Sequence, residues 1–281
     1  MKLKAYAKVN LSLDVVGKRD DGYHDLRMVM VPIDLHDLIE IEVTDHAVFR
    51  CTPPYRIKPE KNTLLKAIEV CRAEFGFHEQ FHIHLHKHIP SQAGLGGGSS
   101  DAAAILNYLN EYFGWNLSDA KKIELGLKIG ADVPFCLFNR PAIVTGIGEK
   151  LEFFSFDHEM KLVLVQPSRG VSTKLAFADL DYPNLEHPDI PEIADALRAG
   201  DYVRFLVSAG NSLEPKAISL VPEIDTLKKR LVKLGCDKAL MTGSGSVVMG
   251  FSRDEALIEA IASSLKPHAR FVRYAKVMVG L

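Results

Sequence analysis

From residue 5 to residue 15 the chain alternates with a period of two. Ala5, Ala7, Val9, Leu11, Leu13 and Val15 are apolar, and Tyr6, Lys8, Asn10, Ser12 and Asp14 fall between them. This pattern predicts a strand with one face on the core and one polar face, so Lys8 and Asn10 project from the same side. Asp21-Gly22 is a strong hairpin dipeptide. The apolar runs 26–33 and 38–43 then predict a return strand and a further one, so the chain opens as antiparallel β. Helical spacing takes over at Asn62-Thr63, a capping pair, with Leu64, Leu65, Ile68 and Cys71 on one face. A strand is expected over 81–89, followed by a Gly/Ser-rich loop over 91–100. Ala102, Ile105, Leu106, Leu109 and Tyr112 recur at helical spacing, and a second helix spans about 118–129, ending at Gly130.

Runs 142–145 and 161–165 read as strands, after which Pro167, Pro183, Pro188 and Pro191 mark a loop-rich passage. A division near residues 155–160 gives an N-terminal segment 1–157 and a C-terminal segment 158–281. In the second, helices over 192–208 and 222–234 alternate with strands over 238–242, 246–251 and 271–279. Strands and helices mix irregularly, which places the chain in the α+β class, in two lobes.

Composition narrows the partners. With 281 residues the chain buries a sizeable core without staples. The balance of 34 basic against 36 acidic side chains argues against a nucleic-acid binder that works by neutralising phosphates. No stretch reaches the ~18 consecutive apolar residues of a membrane span. Lysines interleave through the first eight residues, so no apolar region of a signal peptide is present there. Cys51, Cys71, Cys136 and Cys236 fall singly, without a Cys-x-x-Cys. A reduced, cytoplasmic protein without nucleic-acid or membrane partners is expected; its oligomeric state is open.

The richest stretch is Pro90-Ser91-Gln92-Ala93-Gly94-Leu95-Gly96-Gly97-Gly98-Ser99-Ser100-Asp101, running straight into an Ala-rich helix. Four glycines in five positions would weaken regular structure, because glycine loses the most backbone entropy on ordering. They do allow backbone to approach a ligand and point successive N–H groups at it. Before a helix N-terminus, such amides make an anion site suited to phosphate, and Ser99 and Ser100 add hydroxyls. No Gly-Lys-Ser/Thr follows, so this is not a Walker A loop, and the glycine spacing is not that of a Rossmann fingerprint.

At these residues the chain resembles the GHMP kinases, named for galactose, homoserine, mevalonate and phosphomevalonate, whose loop reads Pro-x-x-x-Gly-Leu-Gly-x-Gly-Ser-Ser. The resemblance narrows with Ala7-Lys8-Val9-Asn10-Leu11, with Asp21-Gly22-Tyr23-His24, and with Gly130-Ala131-Asp132-Val133-Pro134-Phe135. Asn211-Ser212-Leu213-Glu214 and Met241-Thr242-Gly243-Ser244-Gly245 extend it over essentially the whole chain. Two departures are Gln92, bulkier than usual, and Ser246-Val247 in place of Pro-Thr.

The resemblance implies a two-lobed kinase fold that transfers the γ-phosphoryl group of ATP to the tertiary 2-hydroxyl of a cytidine diphosphate-linked methylerythritol. Mg²⁺ would be carried on the nucleotide, with Ser100 as a further contact and no dedicated metal cage. The loop from Pro90 to Ser100 would hold the phosphates, with Asn62 and Lys87 on the adenine side. Asp132 is implied as the base and Lys8 as its partner, and Asn10 would orient the substrate. Tyr23 and Phe177 would stack on the cytosine, His24 would read its edge, and Thr173 would add a contact. Pro134 is expected to bias Val133 to extended backbone and so fix the Asp132 loop. The plainer role for Asp132 is a cap on the segment that follows. Two rivals are a homoserine- or mevalonate-type kinase, and a nucleotide-binding regulator that lost catalysis. The Asp-Gly-Tyr-His hairpin disfavours the first; the presence of both Lys8 and Asp132 disfavours the second.

One further pattern stands outside this reading. His82, His84, His86 and His88 alternate along an expected strand, which would put all four imidazoles on one face about 6.5–7 Å apart. Such a face could bind Zn²⁺ or Ni²⁺. A partly exposed strand face is the plainer reading, and no metal site is assigned from the sequence.

Overall fold

The alternating N-terminal segment is strand β1 (Lys2–Lys18), and the Asp21-Gly22 hairpin returns it as β2 (His24–Thr44). The structure, a computed structural model, describes residues 1–53 and 61–279. β1 departs from expectation in one respect. Its polar face is as buried as its apolar one: Lys8, Asn10, Ser12 and Asp14 are all inside. β2 also replaces two expected strands by one. Its polar middle stays extended because its carboxylates have partners: Asp34 accepts from Lys276 N at 2.9 Å, and Asp37 accepts from Ile89 N at 2.8 Å.

The chain forms two units, and β1 and β2 run through both. Unit one comprises Met1–Lys8, Leu35–Ile89 and Gly96–Asn139; unit two comprises Val9–Asp34, Pro90–Leu95 and Arg140–Leu281. In unit one, the C-terminal part of β2 pairs antiparallel with β4 (Gln80–His86), which pairs in parallel with β3 (Val48–Thr52). β4 stops three residues short of expectation, as the chain turns toward Asp37. Between β3 and β4 lies helix α1 (Thr63–Phe75). It begins where Asn62 Oδ1 accepts from Leu64 N at 3.0 Å, a cap worth about 1 kcal/mol. After β4 come α2 (Gly97–Tyr112), α3 (Asp119–Ile129) and the short α4 (Val133–Phe138). Leu64 and Ile68 of α1, Ile83 and Leu85 of β4, and Ile105, Leu106 and Leu109 of α2 are buried. Each such side chain contributes about 1.5–3 kcal/mol.

Val133 is helical, which corrects the expectation of extended backbone before Pro134. The proline lies in the first turn of α4, where a missing N–H breaks no helical bond.

In unit two, Leu26 to Met30 of β2 pair with β5 (Ala142–Gly146), which pairs with β6 (Lys150–Phe153). A second, antiparallel sheet runs β10-β7-β9-β8, from β7 (Lys161–Gln166), β8 (Lys238–Met241), β9 (Val248–Phe251) and β10 (Phe271–Lys276). Its helices are α5 (Thr173–Ala176), α6 (Ile190–Arg198), α7 (Tyr202–Ser208), α8 (Glu214–Leu220), α9 (Glu223–Lys233) and α10 (Glu255–Leu265). The helix expected over 192–208 is two: Gly200 adopts φ +68° and Asp201 caps α7 by accepting from Arg204 N. α10 was not foreseen, although Asp254 caps it and Ile258, Ile261, Ala262 and Leu265 are its buried face. Among the described residues no helix is long and apolar enough to cross a membrane.

Candidate active site

Lys8 lies in the buried stretch of β1, and its Nζ stands 3.5 Å from Oδ2 of Asp132. The lysine side chain is 5% exposed and the aspartate 36%, so the pair has one buried and one open partner. Asp132 sits at the N-cap of α4 but makes no side-chain capping bond, so the carboxylate is not held by the helix it precedes. A distance of 3.5 Å is an ion pair looser than a charge-assisted hydrogen bond.

The glycine loop meets this pair at Gly96, which is left-handed at φ +69°. A Cβ there would lie 3.0 Å from Cγ and 3.1 Å from Cε of Lys8. The absent side chain is what lets the lysine stem pass. Gly96 is the N-cap of α2 and supplies no side-chain cap; the first amide bonded to it is Ser100 N, 2.9 Å from Gly96 O. The amides of Gly97, Gly98 and Ser99 therefore open the helix without intrahelical acceptors, at its positive end. Thr63 Oγ1 donates to Gly98 O at 2.6 Å and fixes this turn against α1.

The other loop-side residues of unit one are more tightly held. Lys87 donates to Asp37 Oδ2 and, at 2.8 Å, to Asp101 Oδ2. Asp37 Oδ1 also accepts from the amides of His88 and Ile89. One ammonium thus faces two buried carboxylates. Burial pushes the Asp101 carboxyl up to about 7 against the pull of Lys87. Burial also pulls the Lys87 ammonium down, but the two carboxylates outweigh it and hold it above its ordinary value. Ser100 Oγ is buried and donates to Gly96 O at 3.1 Å, beside Cys136, whose thiol burial pushes up to about 12. Asn62 uses its oxygen as the α1 cap.

In unit two the first arm of the loop is backbone-paired. Ser246 N donates to Gln92 O and Val247 N to Ala93 O, while Gln166 Nε2 donates to Ser91 O. Both sequence departures, Gln92 and Ser246-Val247, thus meet in one strip of backbone hydrogen bonds. Next to it, a Cβ on Gly94 would lie 2.2 Å from Thr242 O. The 243–245 turn is held from below: Asn211 Nδ2 donates to Met241 O and Gly243 O, and Glu214 Oε2 accepts from Met241 N. Asn10 is buried beside this turn, its N–H donating to Thr242 Oγ1 at 2.8 Å and its Nδ2 to Met28 Sδ at 3.1 Å.

An aromatic cluster stands in the same unit. The His24 ring packs 4.9 Å from Phe177 and lies nearly parallel to Tyr182, at 16° and 6.3 Å. Burial, with Lys18 adding, holds the His24 imidazole below its ordinary pKa, which favours the neutral ring with one donor and one acceptor nitrogen. Tyr23 does not join; it is 57% exposed. Tyr182, which the sequence reading did not single out, stands instead beside His24. Its signal was weak, a single aromatic before a proline in a single 3₁₀ turn. Thr173 Oγ1 lies 3.0 Å from Ser244 Oγ.

The chain is similar to known kinases at each level of comparison. Residues 62–140 match the GHMP kinases N terminal domain and residues 183–269 the GHMP kinases C terminal domain. A 4-diphosphocytidyl-2-C-methyl-D-erythritol kinase of Bacillus pumilus is 39% identical over 99% of this chain and 96% of its own length. That of Bacillus cytotoxicus is 38% identical over 100% and 98%. A crystal structure of a 4-(cytidine 5'-diphospho)-2C-methyl-D-erythritol kinase matches with a TM-score of 0.84 and 31% identity, covering 100% of both chains. A homoserine kinase from Cytophaga hutchinsonii, at a TM-score of 0.75, 18% identity and 99% and 94% coverage, shares the fold. By sequence and by fold, the chain belongs to the 4-diphosphocytidyl-2-C-methyl-D-erythritol kinase family of GHMP kinases.

Proposed function

We propose that this protein transfers the γ-phosphoryl group of ATP to the 2-hydroxyl of 4-diphosphocytidyl-2-C-methyl-D-erythritol. The observation that carries the chemistry is the Lys8–Asp132 pair, with an open carboxylate, set by Gly96 at the start of a helix with unclaimed amides. Asp132 accepts the proton of the acceptor hydroxyl as its oxygen bonds to the γ-phosphorus. The bond to the β,γ-bridging oxygen breaks, and ADP leaves with that electron pair. Lys8 orients the hydroxyl and offsets negative charge as the phosphoryl group moves. The amides of Gly97, Gly98 and Ser99 bind phosphate oxygens. Asn10 keeps a positioning role, through its bond to Thr242.

Magnesium ion would come with the nucleotide and would supply charge neutralisation on its phosphates. The donor set beside the loop does not build a cage for it: Asp37 and Asp101 are tied to Lys87, and Ser100 Oγ to Gly96 O. The cytosine ring is assigned to His24, Phe177 and Tyr182, with His24 reading its edge. Tyr23 and Thr173 remain outer contacts, and Asn62 and Lys87 frame the nucleotide side as support.

The deciding experiment supplies Mg-ATP with the cytidyl-methylerythritol, homoserine or mevalonate and measures ADP. Release with the cytidyl compound alone is expected; release with homoserine or mevalonate alone sinks the assignment. Base stacking is worth about 1–3 kcal/mol, so Tyr182→Ala should raise KM for the cytidyl substrate roughly tenfold and leave that for ATP unchanged. An equal rise for ATP would place the aromatic cluster on the wrong ligand.

A further inference from the structure

We infer that Glu40, His84 and His86 form a binding site for a borderline divalent transition-metal ion of the Zn²⁺ kind. The β2–β4 register sets Glu40 directly opposite His84, and His86 follows two residues on, on the same face of β4. The two imidazoles pack with centroids 4.0 Å apart and planes at 35°. One ligand atom from each of the three residues lies within 4.8 Å of the others, and among the described residues no other such group of three occurs.

Two details show how these atoms are disposed. His86 Nε2 is buried, has no hydrogen-bond partner, and stands 3.8 Å from Glu40 Oε2. A nitrogen shielded from water and left unpaired costs free energy, and a metal ion would satisfy it. The other atoms of the trio are held from outside. Lys2 Nζ takes Glu40 Oε1 at 2.9 Å, leaving Oε2 toward His86. Thr52 Oγ1 lies 2.8 Å from His84 Nε2; when that nitrogen donates, Nδ1 keeps its lone pair. Outer partners of this sort orient metal-binding imidazoles and carboxylates.

Metal–ligand bonds of 2.0–2.2 Å in tetrahedral geometry require ligand atoms about 3.4 Å apart. The observed 3.8 Å is nearly there, and the 4.8 Å outer bound closes by side-chain rotation of half-exposed residues. Two imidazoles and one carboxylate suit Zn²⁺, not Mg²⁺, which demands oxygen ligands. Arg50, in register with His84 on β3, adds a positive charge to this face, which further disfavours a hard cation held by charge alone. The four alternating histidines therefore divide. His82 pairs with Glu42, outside the trio, and His88 lies beyond the strand with Nδ1 at 3.0 Å from His36 O.

The test does not depend on the kinase reading. Tag-free full-length protein is dialysed against Zn²⁺, its metal content measured, and its affinity read by calorimetry. One equivalent should remain on the wild type and on His82→Ala, and be lost from the His84→Ala, His86→Ala double variant. Loss of an outer partner of a metal ligand weakens binding about 10–100-fold, so Glu40→Gln, which removes a ligand, should weaken Zn²⁺ at least ~10-fold. Mg²⁺ should not displace the bound Zn²⁺. A wild type that retains no Zn²⁺, or a double variant that retains as much, overturns the site. If the double variant fails to fold by circular dichroism, the Glu40→Gln affinity decides on its own, and unchanged affinity there also overturns it.

Discussion

Two lysines of unit one touch the glycine loop, and their surroundings differ. Lys87 is enclosed by Asp37 and Asp101, which are 0% and 4% exposed, and both carboxylates bond to it. Lys8 faces Asp132, a carboxylate open to solvent, across 3.5 Å. The closed arrangement holds backbone. Asp37 shows this directly, since the oxygen that Lys87 leaves accepts the amides leading into the loop. The open arrangement leaves a carboxylate face for a hydroxyl to approach. Under the proposed function, ion-pair closure, more than residue type, separates support from chemistry.

That contrast breaks most sharply at Lys87. Lys87→Met strands two buried carboxylates and should cost about 3–5 kcal/mol in denaturant unfolding. A loss below about 1 kcal/mol, the scale of an exposed pair, would mean the cluster is not closed. Asp132→Asn is the reverse case. Folding stability should hardly change, while turnover falls at least ~10²-fold with ATP affinity nearly intact. Unchanged turnover would remove Asp132 from the mechanism. Gly96→Ala links loop to lysine: a methyl at φ +69° strains the backbone and presses on the Lys8 stem. A displacement of 1 Å can cost about 10²-fold, so turnover should fall about tenfold or more. A variant with native kcat would show that the loop does not set Lys8.

The same Lys87 cluster predicts a pH slope. In the unfolded chain Asp101 loses its proton near 3.8, whereas burial holds it to about 7 in the fold. Between these values the folded state binds more protons, so this group's stabilising contribution is present below about pH 4 and is lost as pH rises to about 7. Asp101→Asn should flatten the unfolding midpoint across that window. An unchanged slope would assign the titration to another group.

Local signals in the sequence carried far. Asn62 as a cap, the α1 face and the period of β1 are all visible over a few residues. What period two cannot report is how much covers the second face, so burial of Lys8 and Asn10 was not legible. Nor was the joining of 26–33 to 38–43, because the partners that keep Asp34 and Asp37 extended come from Lys276 and from Ile89. Pro134 misled through a sound local rule, since a proline in a first helical turn escapes it. Motif resemblance singled out the glycine loop, Lys8 and Asp132, and the fold brings Lys8 beside both Gly96 and Asp132. Tyr182 was not singled out, as only the fold brings it beside His24. Asp254 and the spacing of Ile258, Ile261 and Leu265 are the local signals of α10, a cap and one apolar face.

The contact between Gly94 and the 242–245 turn bears on how this protein can change over generations. A side-chain carbon at Gly94 would strike Thr242 O at 2.2 Å, and one at Gly243 would meet Gly94 O at 3.1 Å. At Gly94 the obstacle is main chain, which every amino acid carries, so no second substitution can make room there. Gly243, far along the chain, is restricted as well by its left-handed φ of +58°. Their neighbours Gln92 and Ser246 meet through main-chain atoms, N–H to C=O, and both are constrained in their own right, Ser246 by full burial and Gln92 by its left-handed φ of +51°.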